Sequence, residues 1–516
     1  MLRFLRIAIE LLLVGALAWT SLVLGGTPSW TWTVLEIIAA VLVILWLVRM
    51  IVQRRLAWVK TPLNILLILL LAYHFFQLVP LPAGILRVFQ SNTLRVYTVG
   101  PPEVEAAASV PLDVGGSFPV SLNRMRTRQY LLLWAAYVAF FLVLINNVRG
   151  RQQLGRMLGV LIALGSIVAI GGFATARQEE RLFYRRWPAA GDGETPAILN
   201  ADANPEFSAG YGFVFHVTEG DRVDFYVPKV HTGDVFAGYP SSNSAATVMA
   251  MVLMLSLGVF FAYTATRRTE WGGSGGLLYT REGNVTMLVL FTAVLVLCGL
   301  GISRSRAGVG LVLVGLPLLI VLVAFSRSLL AGVITVAVIL ALLIVPMAVV
   351  GKTEAVDFIS TQIGTWLNPS GEEVRLTARE SAWRIVGDYP LFGTGLGTFS
   401  SVYPGYKIRG PMLYFVHCDP LQWFAETGLV GVILAGAVLV VGAGTALVGW
   451  FRLKDLFFKR LLLGCVLACG VFLGHGLLDF PLEIPGVVIF FVTVGALIVI
   501  LSCDRVARNE EEDFLF

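Results

Sequence analysis

The amino-acid sequence predicts an all-α polytopic membrane protein with about 12 transmembrane helices. The first observation is composition: 57% of the 516 residues are hydrophobic and 14% are charged, whereas ordinary soluble domains contain roughly 45–50% apolar residues. The second is a series of apolar runs of about 20 residues, the length that crosses a hydrocarbon core. The third is an uneven distribution of Lys and Arg between successive connections. The net charge of +5 is small for this length and argues against nucleic-acid binding.

Twelve apolar runs fit a membrane span. They lie at residues 5–24, 32–52, 62–80, 129–146, 154–174, 243–264, 285–302, 308–325, 328–350, 428–450, 461–478 and 485–502. The first run begins with only Arg3 and Arg6 and has no small-residue cleavage site, so we expect a retained helix rather than a signal peptide. Apart from His74, no ionisable residue lies deep inside a predicted span, which argues against an ion-coupled carrier.

The Lys and Arg residues predict the orientation. Alternate connections are basic, for example those that contain Arg54 and Lys60 or Arg149 and Arg151, whereas the short turn at 25–31 holds none. Because basic connections face the cytoplasm, we expect both termini there. In chain order this gives three spans in 1–80, an outer loop at 81–128, two spans in 129–174, a second outer loop at 175–242, four spans in 243–350, a third outer loop at 351–427, three spans in 428–502 and a cytoplasmic tail at 503–516.

The long outer loops carry signals of ordered structure. The second contains FVFHVTEGDRVDFYVPK, whose alternation predicts a small β-hairpin that turns at Glu219 to Asp221. The third contains Thr377 followed three residues later by Glu380, which predicts a helix that begins there and ends before Pro390. Short helices and a hairpin are therefore expected in a layer outside the membrane.

Charged and aromatic residues cluster on the helix predicted in the third outer loop. Arg379 would lie in its first turn, on the same face as Trp383, where the ring can hold the guanidinium or stack on a sugar. Arg384 follows Glu380 by four residues, and the pair is typical of a surface ion pair. The segment GTGLGTF then follows, and its glycines fit a phosphate-binding turn and a tight structural turn equally well.

A second helix start follows in the same loop. Asp419 is predicted as an acidic N-cap, with Pro420 at the first helical position and Gln422 at the third. His417 would then lie just before a helix N-terminus, where the helix dipole disfavours the imidazolium and leaves the ring able to accept a proton. A histidine held only by loop carbonyl groups is the alternative interpretation.

Two further arginines lie in the connection SRSRAG, between two predicted spans. Arg304 and Arg306 break the outer side's shortage of positive charge. A charge at the membrane centre costs about 2.5–3.5 kcal/mol or more, so this connection belongs at the outer interface. Binding of an anionic ligand explains the arginines there, and interfacial snorkelling is the alternative.

Four segments in order, SRSRAG, RLTARESAWRIVGDYPLFGTGLGTF, HCDPLQWFAETGLVG and HGLLDFPLEIP, resemble the O-antigen ligase and polymerase superfamily of bacterial membrane glycosyltransferases. The resemblance extends from about residue 300 to 485, and LVPLP with PVSLNRMRTRQ is similar to the first outer loop of that family. The chain departs from the family at Cys418, where Asn, Ser or Gln commonly follows the histidine.

The resemblance implies glycan transfer from a polyprenyl diphosphate carrier to an acceptor hydroxyl on the periplasmic face of the bacterial inner membrane. It also implies that the transfer inverts the anomeric centre. It implies no metal and no cofactor, because arginines can stabilise the diphosphate leaving group. His417 would take the acceptor proton, and Arg306 and Arg379, with Arg304 as a second choice, would bind the diphosphate. The supporting residues implied by the resemblance are Trp383, Asp419, Glu426 and Asp479, and we expect a structural role for Glu426.

The acceptor is left open by the sequence. Ligases of the family transfer glycan to lipid A-core in lipopolysaccharide synthesis, polymerases extend the carrier-linked chain, and relatives glycosylate proteins. We place the ligase first. A lipid or glycan transporter without chemistry is the alternative from another class.

Overall fold

The computed structural model describes residues 1–55, 58–98, 116–177, 235–266, 281–303, 305–330, 333, 372–408 and 413–503. Nearly all regular structure in this part of the chain is α-helix. The helices are α1 Leu2–Leu22, α2 Ser29–Gln53, α3 Pro62–Phe76, α4 Ala83–Phe89, α5 Ser91–Thr98, α6 Arg124–Asn147, α7 Arg151–Arg177, α8 Ser242–Thr266, α9 Arg281–Ile302, α10 Arg306–Phe325, α11 Glu372–Asp388, α12 Phe399–Val402, α13 Asp419–Arg452, α14 Leu456–Gly476 and α15 Pro485–Ser502.

Long apolar helices form the membrane part of the molecule. Within the described residues, 10 helices are long and apolar enough to cross a membrane, and α3 is a shorter apolar helix. These helices lie where the hydropathy of the sequence predicts spans. The predicted span at 328–350 lies almost entirely outside the described residues. The prediction of an all-α polytopic membrane protein is confirmed.

Helices α8 and α14 form the most extensively packed pair in the bundle. At their crossing, a Cβ atom added to Gly258 would lie 2.5 Å from the Cα atom of Gly464. Small residues allow membrane helices to approach this closely, and the approach adds van der Waals contact where lipid offers no hydrophobic driving force. This crossing lies in the C-terminal half of α8, and nearer the N-terminal end the Thr247 hydroxyl lies 2.8 Å from Nδ1 of His475 in α14.

Contacts between connections assign them to the two ends of the bundle. At one end, the N–H of Ser121 donates to the carbonyl of Gln77 and the N–H of Leu122 donates to the carbonyl of Thr394. At the other end, Arg49 donates to Asn147 at 2.6 Å, although these residues are 98 positions apart. Gln77, Ser121 and Thr394 lie in or beside connections predicted outside the membrane, and Asn147 borders a connection predicted inside it. Which end faces the cytoplasm stays a prediction.

An ordered layer covers the first end. Strand β1, Leu81–Pro82, pairs antiparallel with β2, Ser117–Phe118, and α4 and α5 follow β1. A second group of buried apolar side chains lies in this layer, and it includes Ala378, Ile385, Tyr403 and Val416. The hairpin predicted at residues 219–221 falls outside the described residues.

Helix α11 starts earlier than its sequence predicts. It begins at Glu372, so Thr377 lies inside the helix, where its carbonyl accepts a hydrogen bond from Ser381 Oγ at 2.9 Å. The predicted capping box at Thr377 is wrong, and Arg379 is not in the first turn. Val374 packs with Ala378 on the same apolar cluster, and burial of this extra turn of the apolar stripe extends the helix toward its N-terminus.

A glycine divides α13 into an outer segment and a membrane span. Gly428 has φ of 62° and ψ of −169°, values outside the helical region. A Cβ atom at this position would lie 2.4 Å from the carbonyl carbon of Leu391, and the N–H of Leu429 donates to the carbonyl of Pro390. The predicted span at 428–450 begins at this break.

Candidate active site

The centre of the site is a histidine paired with an aspartate. His417, just before α13, has Nδ1 2.8 Å from Oδ1 of Asp479, which lies between α14 and α15. The His417 side chain is 21% exposed and Asp479 is 8% exposed. The imidazole also meets the ring of Phe480 edge to face, with centroids 4.7 Å apart. The pair is thus held on one side and open to a small area of the outer surface on the other.

The backbone of His417 is strained. Its φ is +55°, in the left-handed region that non-glycine residues rarely adopt. Residues held in such conformations cost about 1–3 kcal/mol and cluster at functional sites. The conformation directs the His417 carbonyl toward Arg379, whose Nη2 donates to it at 2.7 Å. Helix α11 therefore fixes the segment that carries the histidine.

The charge state of Asp479 sets the proton positions on His417. Burial alone would raise the pKa of Asp479, but the hydrogen bond from His417 and the nearby positive charges lower it below its ordinary value. An ionised carboxylate only accepts hydrogen bonds, so Nδ1 of His417 carries the proton. In the neutral form of this ring Nε2 has a free lone pair, the arrangement that a general base requires.

A hydrogen-bond chain connects Asp479 to the SRSRAG connection. Oδ2 of Asp479 accepts from Nδ2 of Asn243 at 2.6 Å, and Oδ1 of Asn243 accepts from Oγ of Ser305 at 2.7 Å. Ser305 also accepts from the N–H of Gly308 at 3.2 Å and so caps α10. Arg306, the first residue of α10, is exposed beside this chain, and Arg304 lies outside the described residues.

Arg379 contributes to the site in a way that the sequence does not reveal. Its guanidinium holds the His417 segment, and Nη2 also approaches the Leu477 carbonyl at 3.4 Å. Its Nε atom is buried and has no hydrogen-bond partner among the described residues. A buried guanidinium N–H without a partner is energetically costly.

Three residues near Arg379 on α11 make ordinary surface contacts. Arg384 and Glu380 form the predicted ion pair at 3.3 Å, and both side chains are more than half exposed. Trp383 is 58% exposed and meets the ring of Phe424 edge to face at 6.2 Å. The exposed face of Trp383 lies on the outer surface of the layer.

The glycine-rich turn binds a carboxylate of the protein itself. The N–H groups of Gly397 and Phe399 donate to the two carboxylate oxygens of Glu426 at 2.7 and 3.0 Å. The N–H of Gly395 donates to the Glu426 carbonyl at 2.9 Å. A Cβ atom at Gly397, where φ is +73°, would lie 2.3 Å from the ring of Tyr130. These contacts favour the tight structural turn over phosphate binding and give Glu426 structural partners.

Asp419 is not the cap of α13. Cys418 is the N-cap residue and makes no side-chain capping bond, whereas Asp419 is the first helical residue. The Asp419 carboxylate is buried and accepts from the N–H of Leu482 at 3.0 Å. The predicted N-cap is therefore wrong by one position, because the side chain joins α13 to the connection between α14 and α15 instead of bonding its own helix.

A small cavity with acidic lining residues lies between α6, α13 and the connection between α14 and α15. Its volume of about 10 Å³ is enough for one water molecule. The polar residues that line it include Tyr130, Asp419, Gln422, Glu426 and Glu483. Glu483 accepts from the Tyr130 hydroxyl at 2.8 Å and from Gln422 Nε2 at 2.7 Å. Burial raises the pKa of Glu483 to about 7, although the Tyr130 hydrogen bond and the charge of Arg126 act in the opposite direction.

Glu483 should make stability depend on pH. The unfolded chain loses this proton near pH 4.3, so between that pH and about 7 the folded state holds a proton that the unfolded state lacks. Stability should fall as pH rises through this window. We expect Glu483→Gln, which cannot ionise, to unfold at a higher temperature than the wild type at about pH 8, with a smaller difference at about pH 5.

Thermal unfolding in detergent measures this effect. Glu380→Gln is the matched control, because Glu380 is exposed and its unfolding temperature should differ little from that of the wild type at either pH. An equal shift for Glu483→Gln at both pH values would contradict the assigned role.

The structure brings together His417, Arg379, Asp479 and Arg306, half of the predicted site residues, and adds two more. His417 accepts a hydrogen bond from Arg379 through its carbonyl and is paired with Asp479 through its ring. Arg306 follows Ser305, which forms a hydrogen bond to Asn243. Asn243 and Ser305 were missed by sequence reasoning. The signal for Asn243 was its place among serines at the start of a predicted span, and the signal for Ser305 was its place within SRSRAG.

Comparison with known families gives a match in the second half of the chain. Residues 291–436 match the O-antigen ligase family model, a range that contains Arg306, Arg379 and His417, whereas Asp479 lies beyond it. No curated protein matches the chain. Through residues 291–436 the chain carries an O-antigen ligase domain, which supports its assignment to the O-antigen ligase superfamily of polytopic membrane proteins.

Proposed function

We propose that the protein transfers a glycan from a polyprenyl diphosphate carrier to an acceptor hydroxyl, as an O-antigen ligase-like enzyme. The observation that carries this proposal is the His417–Asp479 pair, which lies beside a connection that bears Arg306 and is held by Arg379. The pair supplies a general base, and the two arginines supply positive charge for a diphosphate. The O-antigen ligase domain is consistent with a glycan and a lipid-linked substrate.

Each proposed residue has a defined part in the reaction. The acceptor oxygen attacks the anomeric carbon of the donor, and the bond between that carbon and the diphosphate oxygen breaks with its electron pair leaving on the diphosphate. Nε2 of His417 takes the acceptor proton, and the Asp479 carboxylate stabilises the imidazolium that forms. Arg306 and Arg379 stabilise the charge on the leaving diphosphate. A single displacement of this kind inverts the anomeric centre and uses no metal in our proposal.

The acceptor decides between the reactions that this site supports. We place the site on the periplasmic face of the inner membrane, where the predicted orientation puts the outer layer. Membranes supplied with a labelled carrier-linked glycan and with lipid A-core should yield labelled lipid A-core. A longer carrier-linked chain would indicate a polymerase, a labelled protein would indicate protein glycosylation, and movement of intact donor without transfer would indicate a transporter.

Replacement of the arginines should separate donor binding from surface charge. We expect Arg306→Ala and Arg379→Ala each to raise the KM for the donor by about 10-fold or more, because a hydrogen bond to a charged group contributes about 1.5–3 kcal/mol. Arg384→Ala removes the same charge from an exposed ion pair and should change KM less than about twofold. Steady-state kinetics with varied donor measures the difference, and equal effects of all three substitutions would contradict the assignment.

A further inference from the structure

Asn243 forms hydrogen bonds both to Asp479 of the His417–Asp479 pair and to Ser305 of the SRSRAG connection. It is the second residue of α8, between the His417–Asp479 pair on one side and the SRSRAG connection on the other. Its partners are 236 and 62 positions away in the sequence. Neither the O-antigen ligase domain, which begins at residue 291, nor the motifs of the sequence include it.

The hydrogen-bond network fixes the orientation of the Asn243 amide. Ser305 Oγ accepts from the N–H of Gly308, so its hydroxyl proton is available to donate to Oδ1 of Asn243. The Asp479 carboxylate only accepts, so the amide must direct Nδ2 toward it. One side chain therefore donates on one side and accepts on the other, which an amide can do and a carboxylate cannot.

Helix α8 gives Asn243 a rigid base. The Thr247 hydroxyl donates to the Asn243 carbonyl at 2.9 Å and also lies 2.8 Å from Nδ1 of the buried His475. The N–H of Ser244 donates to Ser241 Oγ at 3.1 Å and fixes the start of the helix. A side chain on this base can hold two neighbouring connections at a constant separation.

We propose that Asn243 is a positioning residue that sets the distance between the proton acceptor and the donor-binding arginine. Through Nδ2 it orients Asp479, which orients His417. Through Oδ1 it holds Ser305, the cap of the helix whose first residue is Arg306. This inference rests on the proposed function, since it assigns Asn243 to the same transfer reaction.

The isosteric variant Asn243→Asp separates the two contacts. It keeps an oxygen that accepts the hydrogen bond from Ser305. It removes the N–H group that donates to Asp479, so that two carboxylates face each other at this contact. Loss of a hydrogen bond to a charged group corresponds to a change of about 10- to 100-fold. We expect Asn243→Asp to lower kcat by that factor and to change the donor KM less than about threefold. Asn243→Ala removes both contacts and should lower kcat and also raise the donor KM.

A double-mutant cycle tests whether Asn243 acts through Asp479. If it does, adding Asn243→Asp to Asp479→Ala should lower kcat by less than about twofold further, because the group that it orients is already absent. Multiplicative effects of the two substitutions, or a kcat for Asn243→Asp equal to that of the wild type, would overturn the proposal. Thr264→Ala is the matched control: it removes the hydrogen bond to the Phe261 carbonyl at the opposite end of α8 and should leave kcat and KM unchanged.

The same experiment distinguishes this inference from the proposed function. Wild-type transfer rates for His417→Ala and Asp479→Ala would overturn the function itself. Loss of transfer in those two variants together with full activity of Asn243→Asp would overturn only the role of Asn243. Thermal unfolding of each purified variant identifies any loss of activity that comes from loss of the fold.

Discussion

Replacement of His417 with asparagine should lower glycan transfer by about 10²- to 10⁴-fold and leave the protein folded, because this is the range that general-base catalysis contributes. Asparagine tolerates the left-handed conformation that His417 adopts at φ of +55°. Its amide can also donate a hydrogen bond to Asp479, as Nδ1 of the histidine does at 2.8 Å. What the variant lacks is a ring nitrogen whose lone pair can accept a proton.

The measurement pairs transfer with stability. Labelled carrier-linked glycan in proteoliposomes gives the rate, and thermal unfolding in detergent gives the stability of the same preparation. Asp479→Asn is the companion variant: its amide would donate to Nδ1, place the ring proton on Nε2 and so remove the base without removing the histidine. Transfer at the wild-type rate in either variant would show that His417 does not accept the proton.

The spans could be read from the sequence because their physical cause is local. A run such as 485–502 must be apolar over about 20 residues to cross the bilayer, and α15 has those bounds. The start of the span at 428–450 could be read in the same way, whereas the break at Gly428 depends on its contact with Leu391 in a distant part of the chain. The start of α11 was not local. Thr377 and Glu380 form a capping pattern, but packing of Val374 and Ala378 on the apolar cluster decided the boundary.

For the candidate site, the sequence predicts which residues take part but not how they are arranged. His417, Arg379 and Arg306 stand in motifs that resemble a family, so their types and spacing could be recognised without coordinates. Their arrangement depends on contacts between distant parts of the chain, such as the hydrogen bond that joins Asn243 to Asp479 across 236 positions. No periodicity or spacing encodes such a contact, because it arises from the packing of α8 on α14. The contact between the glycine-rich turn and the Glu426 carboxylate also arises from packing. From its sequence the turn fits a phosphate, but in the structure α13 packs against it and Glu426 occupies its N–H groups.

Substitution of Gly428 with alanine should be strongly destabilising, because this residue joins α13 to the ordered layer at the end of the bundle. At φ of 62° and ψ of −169° the residue occupies a region open essentially to glycine, and strain there costs about 1–3 kcal/mol for other residues. The added Cβ would also lie 2.4 Å from the carbonyl group of Leu391 and 2.6 Å from the N–H of Gly393. Relief of these contacts requires the backbone of 391–393 to move.

That movement should reach the site, because the displaced backbone continues into the turn that Glu426 holds. We expect Gly428→Ala to lose at least about 2 kcal/mol of stability, seen as a lower unfolding temperature in detergent, and to transfer glycan more slowly than the wild type. Gly436→Ala, in the same helix, is the matched control. Its added Cβ meets nothing within 4 Å, and alanine favours the helix by up to about 1 kcal/mol over glycine. Equal unfolding temperatures for the two variants would mean that the break at Gly428 is not what joins α13 to the outer layer.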